Sequence, residues 1–271
     1  MGGCKTDVYK KTAPVGVVDS GVGGLTVARH LQRMLPGEDI VYLGDGANCP
    51  YGNRTSQELE TLHHKTFGFL FRQGVKAIVV ACNTVSSLLD QRPEDYGVPV
   101  FTIIAPAAQA VARSGAQRVG LIATAFTVHS GCYERHIHAL CPQIEVVSKD
   151  SPSLAALVDG GASDGHAIDA EITAQVGDIL RRAPVTHLIL GCTHYPIVAA
   201  NFHRCFPQLA LIDPAEEEAA ALVRALREND GINPAAAGRF SIYTTGDPSV
   251  YAPIAARLGL TPPSLVEQVR V

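Results

Sequence analysis

Two short segments of this 271-residue chain repeat one another, and that repeat constrains the fold more than any other feature. Val75-Lys76-Ala77-Ile78-Val79-Val80-Ala81-Cys82-Asn83-Thr84 aligns without a gap onto Val185-Thr186-His187-Leu188-Ile189-Leu190-Gly191-Cys192-Thr193-His194, an offset of 110 residues. Each is a short apolar run that ends in a small residue and then a thiol. Such a run reads as a fully buried strand of a parallel sheet. Ligands of open α/β sheets bind just beyond the carboxyl ends of the strands, so both thiols are expected at a site. A single buried cysteine is most often a small hydrophobe. Two at equivalent strand ends suggest a duplicated half and a cleft with one thiol on each wall.

A second repeat supports duplication: Val119-Gly120-Leu121-Ile122-Ala123-Thr124 resembles Val15-Gly16-Val17-Val18-Asp19-Ser20 at an offset of 104. After Val15–Val18, further strands are expected at Ile40–Leu43 and Val98–Ile104, with a helix at Ser56–Gln73 whose end falls at Gly74. In the second series, Ile144–Val147 reads as a strand and Ala167–Arg182 as a helix that Pro184 ends. A long helix at Ala215–Arg227 and a strand and turn at Phe240–Gly246 follow. The alternation implies right-handed crossovers and an α/β fold with mainly parallel sheets. Two similar, pseudo-symmetric α/β domains are expected, residues 1–104 plus 214–271 and residues 105–213, with the active site in the cleft between them.

Hydrophobic residues make up 46% of the chain and charged ones 18%, enough apolar material for a core in each half. A net charge of −4 without a basic block argues against nucleic acid as a partner. No apolar run approaches a membrane span, and residues 1–14 lack the apolar core of a secretory signal. The opening Met1-Gly2-Gly3-Cys4-Lys5-Thr6 formally matches an N-myristoylation pattern, although a disordered start is the simpler reading. Seven cysteines in no framework spacing suit free thiols in a reducing cytoplasm.

A thiol acts as a base only as thiolate, which a helix N-terminus favours, and both Cys82 and Cys192 are expected at such termini. The same N–H groups would hold a carboxylate, and Ser20, Thr84 and Thr193 add hydroxyls. A thiolate and a thiol facing each other across a bound Cα would remove a proton from one side and return one from the other. Asp19 and His194 are the polar neighbours able to orient or tune them. Other candidates carry less. Gly21-Val22-Gly23-Gly24 fails the dinucleotide pattern and lacks a P-loop lysine. Cys132, His136, His138 and Cys141 cluster, but histidines two apart point to different helix faces, so no metal is expected. His63 and His64 are expected to face solvent, and Glu216-Glu217-Glu218 to complement a helix dipole.

Four ordered stretches resemble the motif set of glutamate racemase, within the cofactor-independent aspartate/glutamate racemase superfamily: Asp19–Thr26, Cys49-Pro50-Tyr51-Gly52, Ala81-Cys82-Asn83-Thr84 and Leu190–Pro196. The likeness runs from about Val15 to Leu258 and includes Thr244–Pro248. It implies a two-base racemase without cofactor or metal, with Cys82 and Cys192 as the proton donor/acceptor pair assisted by Asp19 and His194. It further implies glutamate contacts from Asp19, Ser20, Pro50, Tyr51, Gly52, Asn83, Thr84, Thr193 and His194. The product D-glutamate would supply peptidoglycan synthesis in a bacterial cytoplasm, and because some relatives dimerise, a homodimer is among the assemblies implied. Where the family often has Leu-Val-Glu, this chain has Leu157-Val158-Asp159, one methylene shorter towards His194. Gly46 and Cys49 also depart from the usual pattern, which bears on pocket shape. Competing readings are a racemase of another amino acid such as aspartate, a Cys-His hydrolase using one thiol, and a non-catalytic glutamate-binding or regulatory relative.

Overall fold

A computed structural model of the chain describes residues 10–160 and 165–271; the amino-terminal lipidation pattern lies outside the described residues. The first series runs β1 (Val15–Asp19), α1 (Leu25–Met34), β2 (Ile40–Gly44), α2 (Ser56–Arg72), β3 (Ala77–Val80), α3 (Asn83–Gln91), β4 (Val100–Thr102) and α4 (Ile104–Ser114). The second runs β5 (Arg118–Ala123), α5 (Ala125–Ser130), α6 (Cys132–Leu140), β6 (Glu145–Asp150), α7 (Leu154–Asp159), α8 (Gly165–Arg182), β7 (His187–Gly191), α9 (Ala199–Cys205) and β8 (Ala210–Ile212). The chain then continues through α10 (Ala215–Glu228), β9 (Phe240–Thr244), α11 (Tyr251–Arg257) and β10 (Leu265–Gln268).

The strands form two sheets, ordered β10-β9-β2-β1-β3-β4 and β6-β5-β7-β8, in which every pairing is parallel. The blocks β2-β1-β3-β4 and β6-β5-β7-β8 share one order. The two sequence repeats therefore mark equivalent strands, β1 with β5 and β3 with β7. β9 and β10 extend the first sheet beyond β2. One apolar cluster joins a face of the first sheet to α1, α4 and α10 and continues onto the second sheet. The opposite face of the first sheet packs beneath α2 and α3.

Local sequence explains most element ends. Thr55 and Glu58 close a capping box at the start of α2, and Gly74 follows its end with φ +67°, a conformation that favours glycine. The expected strand at Val98–Ile104 is shorter, because Ile103 and Ile104 turn into α4. Both isoleucines are buried in the core, and Pro106 is accommodated in the first helical turn, where its missing N–H costs nothing. His63 was expected in solvent but is buried. It shares a helix face with Leu59 and Phe67, contacts the Tyr96 hydroxyl at 3.2 Å, and burial pushes its pKa down to about 4. Glu218 is likewise buried within α10, and burial holds its carboxyl well above the usual range.

At the amino ends of the strands, Glu38 and Lys76 form an ion pair of 2.7 Å with side chains 1% and 0% exposed. Lys76 Nζ also donates to the carbonyls of Lys11 and Gly231 at 2.8 Å, and the Asn233 N–H donates to Glu38 at 2.7 Å. One buried pair thus ties β2, β3 and the segment leading into β9. Removing one partner of such a pair strands a buried charge. Lys76→Met should therefore lose about 3–5 kcal/mol in chemical denaturation, and adding Glu38→Gln should restore much of that loss. An unchanged unfolding midpoint in Lys76→Met would contradict this anchoring role.

Candidate active site

The carboxyl ends of the two sheets face one another across a cleft so nearly closed that its cavity volume is about 10 Å³, room for little more than one water. From the first sheet, Ser20 follows β1, Cys49, Pro50, Tyr51 and Gly52 follow β2, and Cys82, Asn83 and Thr84 follow β3. From the second, Thr124 follows β5, Ala155 lies on α7, and Cys192, Thr193 and His194 follow β7. Asp19 does not line the cleft; it sits behind it, 1% exposed, where Thr193 Oγ1 donates to its Oδ1 at 3.1 Å. The residues expected from the sequence to act on or contact the substrate are thereby brought together, Asp19 behind the cleft wall and the others on it.

Several hydrogen bonds cross the cleft. The hydroxyls of Thr84 and Thr124 lie 3.0 Å apart, Tyr133 donates to Asn83 Oδ1 at 2.6 Å, and the Phe126 N–H donates to the Gly52 carbonyl at 3.1 Å. A ligand must part these walls to enter. The loop after β2 is pinned from behind, with Tyr51 donating to Asp45 at 2.5 Å and Asp45 also accepting from Thr245 and Asn48. Gly23 permits a close approach of the two halves: a Cβ there would overlap Thr193 Oγ1 and lie 2.8 Å from His194 Nδ1.

The thiols differ in surroundings. Cys82 is the N-cap residue of α3, as expected. Burial nevertheless pushes its pKa up to about 12, reinforced by the Asp19 charge and opposed by the Val85 N–H and the Ser20 hydroxyl. In the closed cleft, desolvation thus outweighs the helix terminus. Asp19 is itself raised by burial, against the pull of His194 and the N–H groups of Gly21 and Gly24. Cys192 departs from expectation. A single 3-10 turn, Tyr195–Val198, separates it from α9. Its partner is instead His194, whose Nδ1 lies 3.7 Å from Cys192 Sγ.

Asp159 reaches His194 despite its shorter side chain, with 3.2 Å from Nε2 to Oδ1. Burial alone would lower the His194 pKa, yet its contacts with Asp159, Cys192 and Cys49 hold it well above the usual imidazole range. Burial pulls Asp159 upward, but the His194 contact prevails and holds it below the usual carboxylate value. Cys49 completes this group, its thiol raised chiefly by burial.

Thr124 was not singled out from the sequence, although the offset of 104 aligns it with Ser20. The Cys132–Cys141 stretch is dispersed. Cys132 bonds Ser130 and Ser87, His136 bonds Asp90, and His138 bonds the Ile144 carbonyl.

Comparison with known proteins adds the family context. Residues 15–222 match the profile described as Asp/Glu/Hydantoin racemase. The chain is 43% identical over 250 residues to a glutamate racemase of Thermus thermophilus, covering 91% of this chain and 93% of that one. It superimposes on the crystal structure of a glutamate racemase isoform from Bacillus anthracis with a TM-score of 0.88 at 33% identity, covering 96% and 98% of the two chains. Against the glutamate racemase of Francisella tularensis in complex with D-glutamate the TM-score is 0.85 at 31% identity, again covering 96% and 98%.

The His194–Asp159 pair makes stability pH-dependent. An unfolded histidine titrates near about 6.5, so with its folded value raised, His194 contributes fully below that pH. Its contribution is lost as pH rises through the folded value. Asp159, depressed in the fold, contributes above about pH 3.9 and loses that contribution as pH falls through its folded value. NMR of the His194 ring should show imidazolium at pH 7, and Asp159→Asn should move its midpoint downward. A midpoint near 6.5 in the unaltered protein would contradict this assignment.

Proposed function

The chain belongs to the Asp/Glu/Hydantoin racemase family, and from that premise we propose that it interconverts L- and D-glutamate by two-base proton transfer at Cα, without a cofactor. Cys82 and Cys192 are the donor/acceptor pair. One sulfur, as thiolate, takes the Cα proton from one face, and the other, as thiol, delivers its proton to the opposite face. The centre inverts and the sulfurs exchange roles, so atoms and charge balance over each turnover. The observation that carries this reading is the placement of two thiols, one from each sheet, in a single cleft, each with its own charged neighbour.

The flanking groups supply the rest. Asp19 stands beside Cys82 as an orienting acid and proton acceptor, and the His194 imidazolium can donate to negative sulfur at Cys192. Ser20, Asn83, Thr84 and Thr193 supply donors for the substrate carboxylates at the head of α3 and after β7. Pro50, Tyr51 and Gly52 form the wall that the Asp45 hydrogen bond holds in place. Glutamate is favoured over aspartate as substrate by the named relatives. In this reading the enzyme works in a bacterial cytoplasm and its D-glutamate enters peptidoglycan synthesis. Free cysteines and a lack, among the described residues, of any helix long and apolar enough to cross a membrane accord with that setting.

Cys192, His194 and Asp159 also line up as nucleophile, base and orienting acid would in a Cys-His hydrolase. That reading gives Cys82 no task and requires a covalent adduct on Cys192. Circular dichroism of glutamate and of aspartate separates the readings. Glutamate should be racemised with the higher kcat/KM, and Cys82→Ser and Cys192→Ser should each lower kcat by about 10²–10⁴-fold. Full racemisation by either variant would overturn the two-thiol mechanism, and preference for aspartate would move the substrate.

A further inference from the structure

Beside Gly21, three ligand types from three separate elements converge. The point where a Gly21 Cβ would stand lies 3.0 Å from Asp159 Oδ1, 3.3 Å from Cys49 Sγ and 3.5 Å from His194 Nε2, and glycine leaves that space open. The three atoms lie within 4.8 Å of one another, and the Asp159–His194 pair is at 3.2 Å. We propose that Cys49, Asp159 and His194 form a binding site for a borderline divalent cation such as Zn²⁺, and that its occupation switches the enzyme off.

The donor set is one sulfur, one imidazole nitrogen and one carboxylate oxygen, the ligands Zn²⁺ prefers. Bonds of about 2.0–2.3 Å in a tetrahedron set ligand separations of about 3.3–3.8 Å. Side-chain shifts of about 1 Å therefore suffice. Three protein ligands leave a fourth position for water, as in open zinc sites. The other imidazole nitrogen already has a neighbour to orient the ring, since Nδ1 faces Cys192 Sγ. Binding releases the Cys49 thiol proton and the His194 imidazolium proton to solvent as the metal–ligand bonds form. It also bridges the walls, because Cys49 comes from the loop after β2 whereas Asp159 and His194 belong to the second series. His194 is then held by the metal and no longer serves Cys192. The binding stands on geometry alone; the inhibition rests on the racemase reading given above.

Cobalt(II) titration of the full chain tests the binding without reference to activity, through the thiolate-to-cobalt absorption band. A saturable band at one metal per chain is expected. It should persist in a Cys82→Ser/Cys192→Ser variant and vanish in Cys49→Ala, which removes the sulfur that gives the band, while Asp159→Asn should need at least about tenfold more cobalt to saturate it. A parallel thermal melt of each variant establishes that it is folded. In the unaltered enzyme, Zn²⁺ should inhibit racemisation and a chelator should restore it, and Cys49→Ala should be correspondingly less sensitive. No saturable band, a band unchanged in Cys49→Ala, or a band lost with the two cleft thiols would overturn the proposal. A band in a chain that racemises nothing would sustain the site and fail the racemase reading instead.

Discussion

The buried hydrogen bond from Thr193 to Asp19 is the interaction on which the site depends. It joins the carboxyl end of β7 to that of β1, across the junction of the two sheets. A buried carboxylate is costly unless its oxygens are occupied, and here Gly21 N–H serves one oxygen and Thr193 the other. The two donors thereby offset part of the cost of burying Asp19 at the junction of the halves. The same contact sets Cys192 and His194 opposite Cys82. Gly23 makes it reachable, since any side chain there would collide with Thr193.

The cleft is symmetric in backbone and asymmetric in charge. Equivalent strands deliver equivalent thiols, yet one meets an aspartate and the other an imidazolium. For a two-base reaction this difference is useful, because one sulfur must begin as thiol while the other carries charge. The high Cys82 value reflects a closed, desolvated cleft with the Asp19 carboxyl nearby. Parting the Thr84–Thr124 and Tyr133–Asn83 contacts to admit substrate would change that desolvation together with the donors presented at the head of α3. Ligand entry and thiol activation are thereby coupled through the same few side chains.

How much of this was legible in the sequence depended on how local each feature is. The paired runs ending at Cys82 and Cys192 carried the strands, the duplication and both thiols, because buried parallel strands need a continuous apolar run. The end of α2 at Gly74 was legible for a similar reason. Features set by long-range packing were not. Ile103 and Ile104 read as strand but anchor a helix, and His63 is covered by Tyr96, which lies 33 residues away. Cys192 is followed by the 3-10 turn Tyr195–Val198 where a helix start was expected, and its neighbour is an imidazole. The reach of Asp159 to His194 depends on where α7 ends, which side-chain length alone does not reveal. Thr124 lay in plain view through its alignment with Ser20, and only its hydroxyl contact with Thr84 marks it as part of the cleft.

The measurement that tests the central claim most directly is early-time racemisation of L-glutamate in deuterium oxide, followed separately in the two enantiomer pools. Two facing bases predict that D-glutamate carries solvent deuterium at Cα from the first turnover while the remaining L-glutamate stays unlabelled. The mirror result is expected when D-glutamate is supplied. Deuterium appearing equally early in both pools would mean that one group serves both faces, and would contradict the assignment of Cys82 and Cys192 as opposed bases.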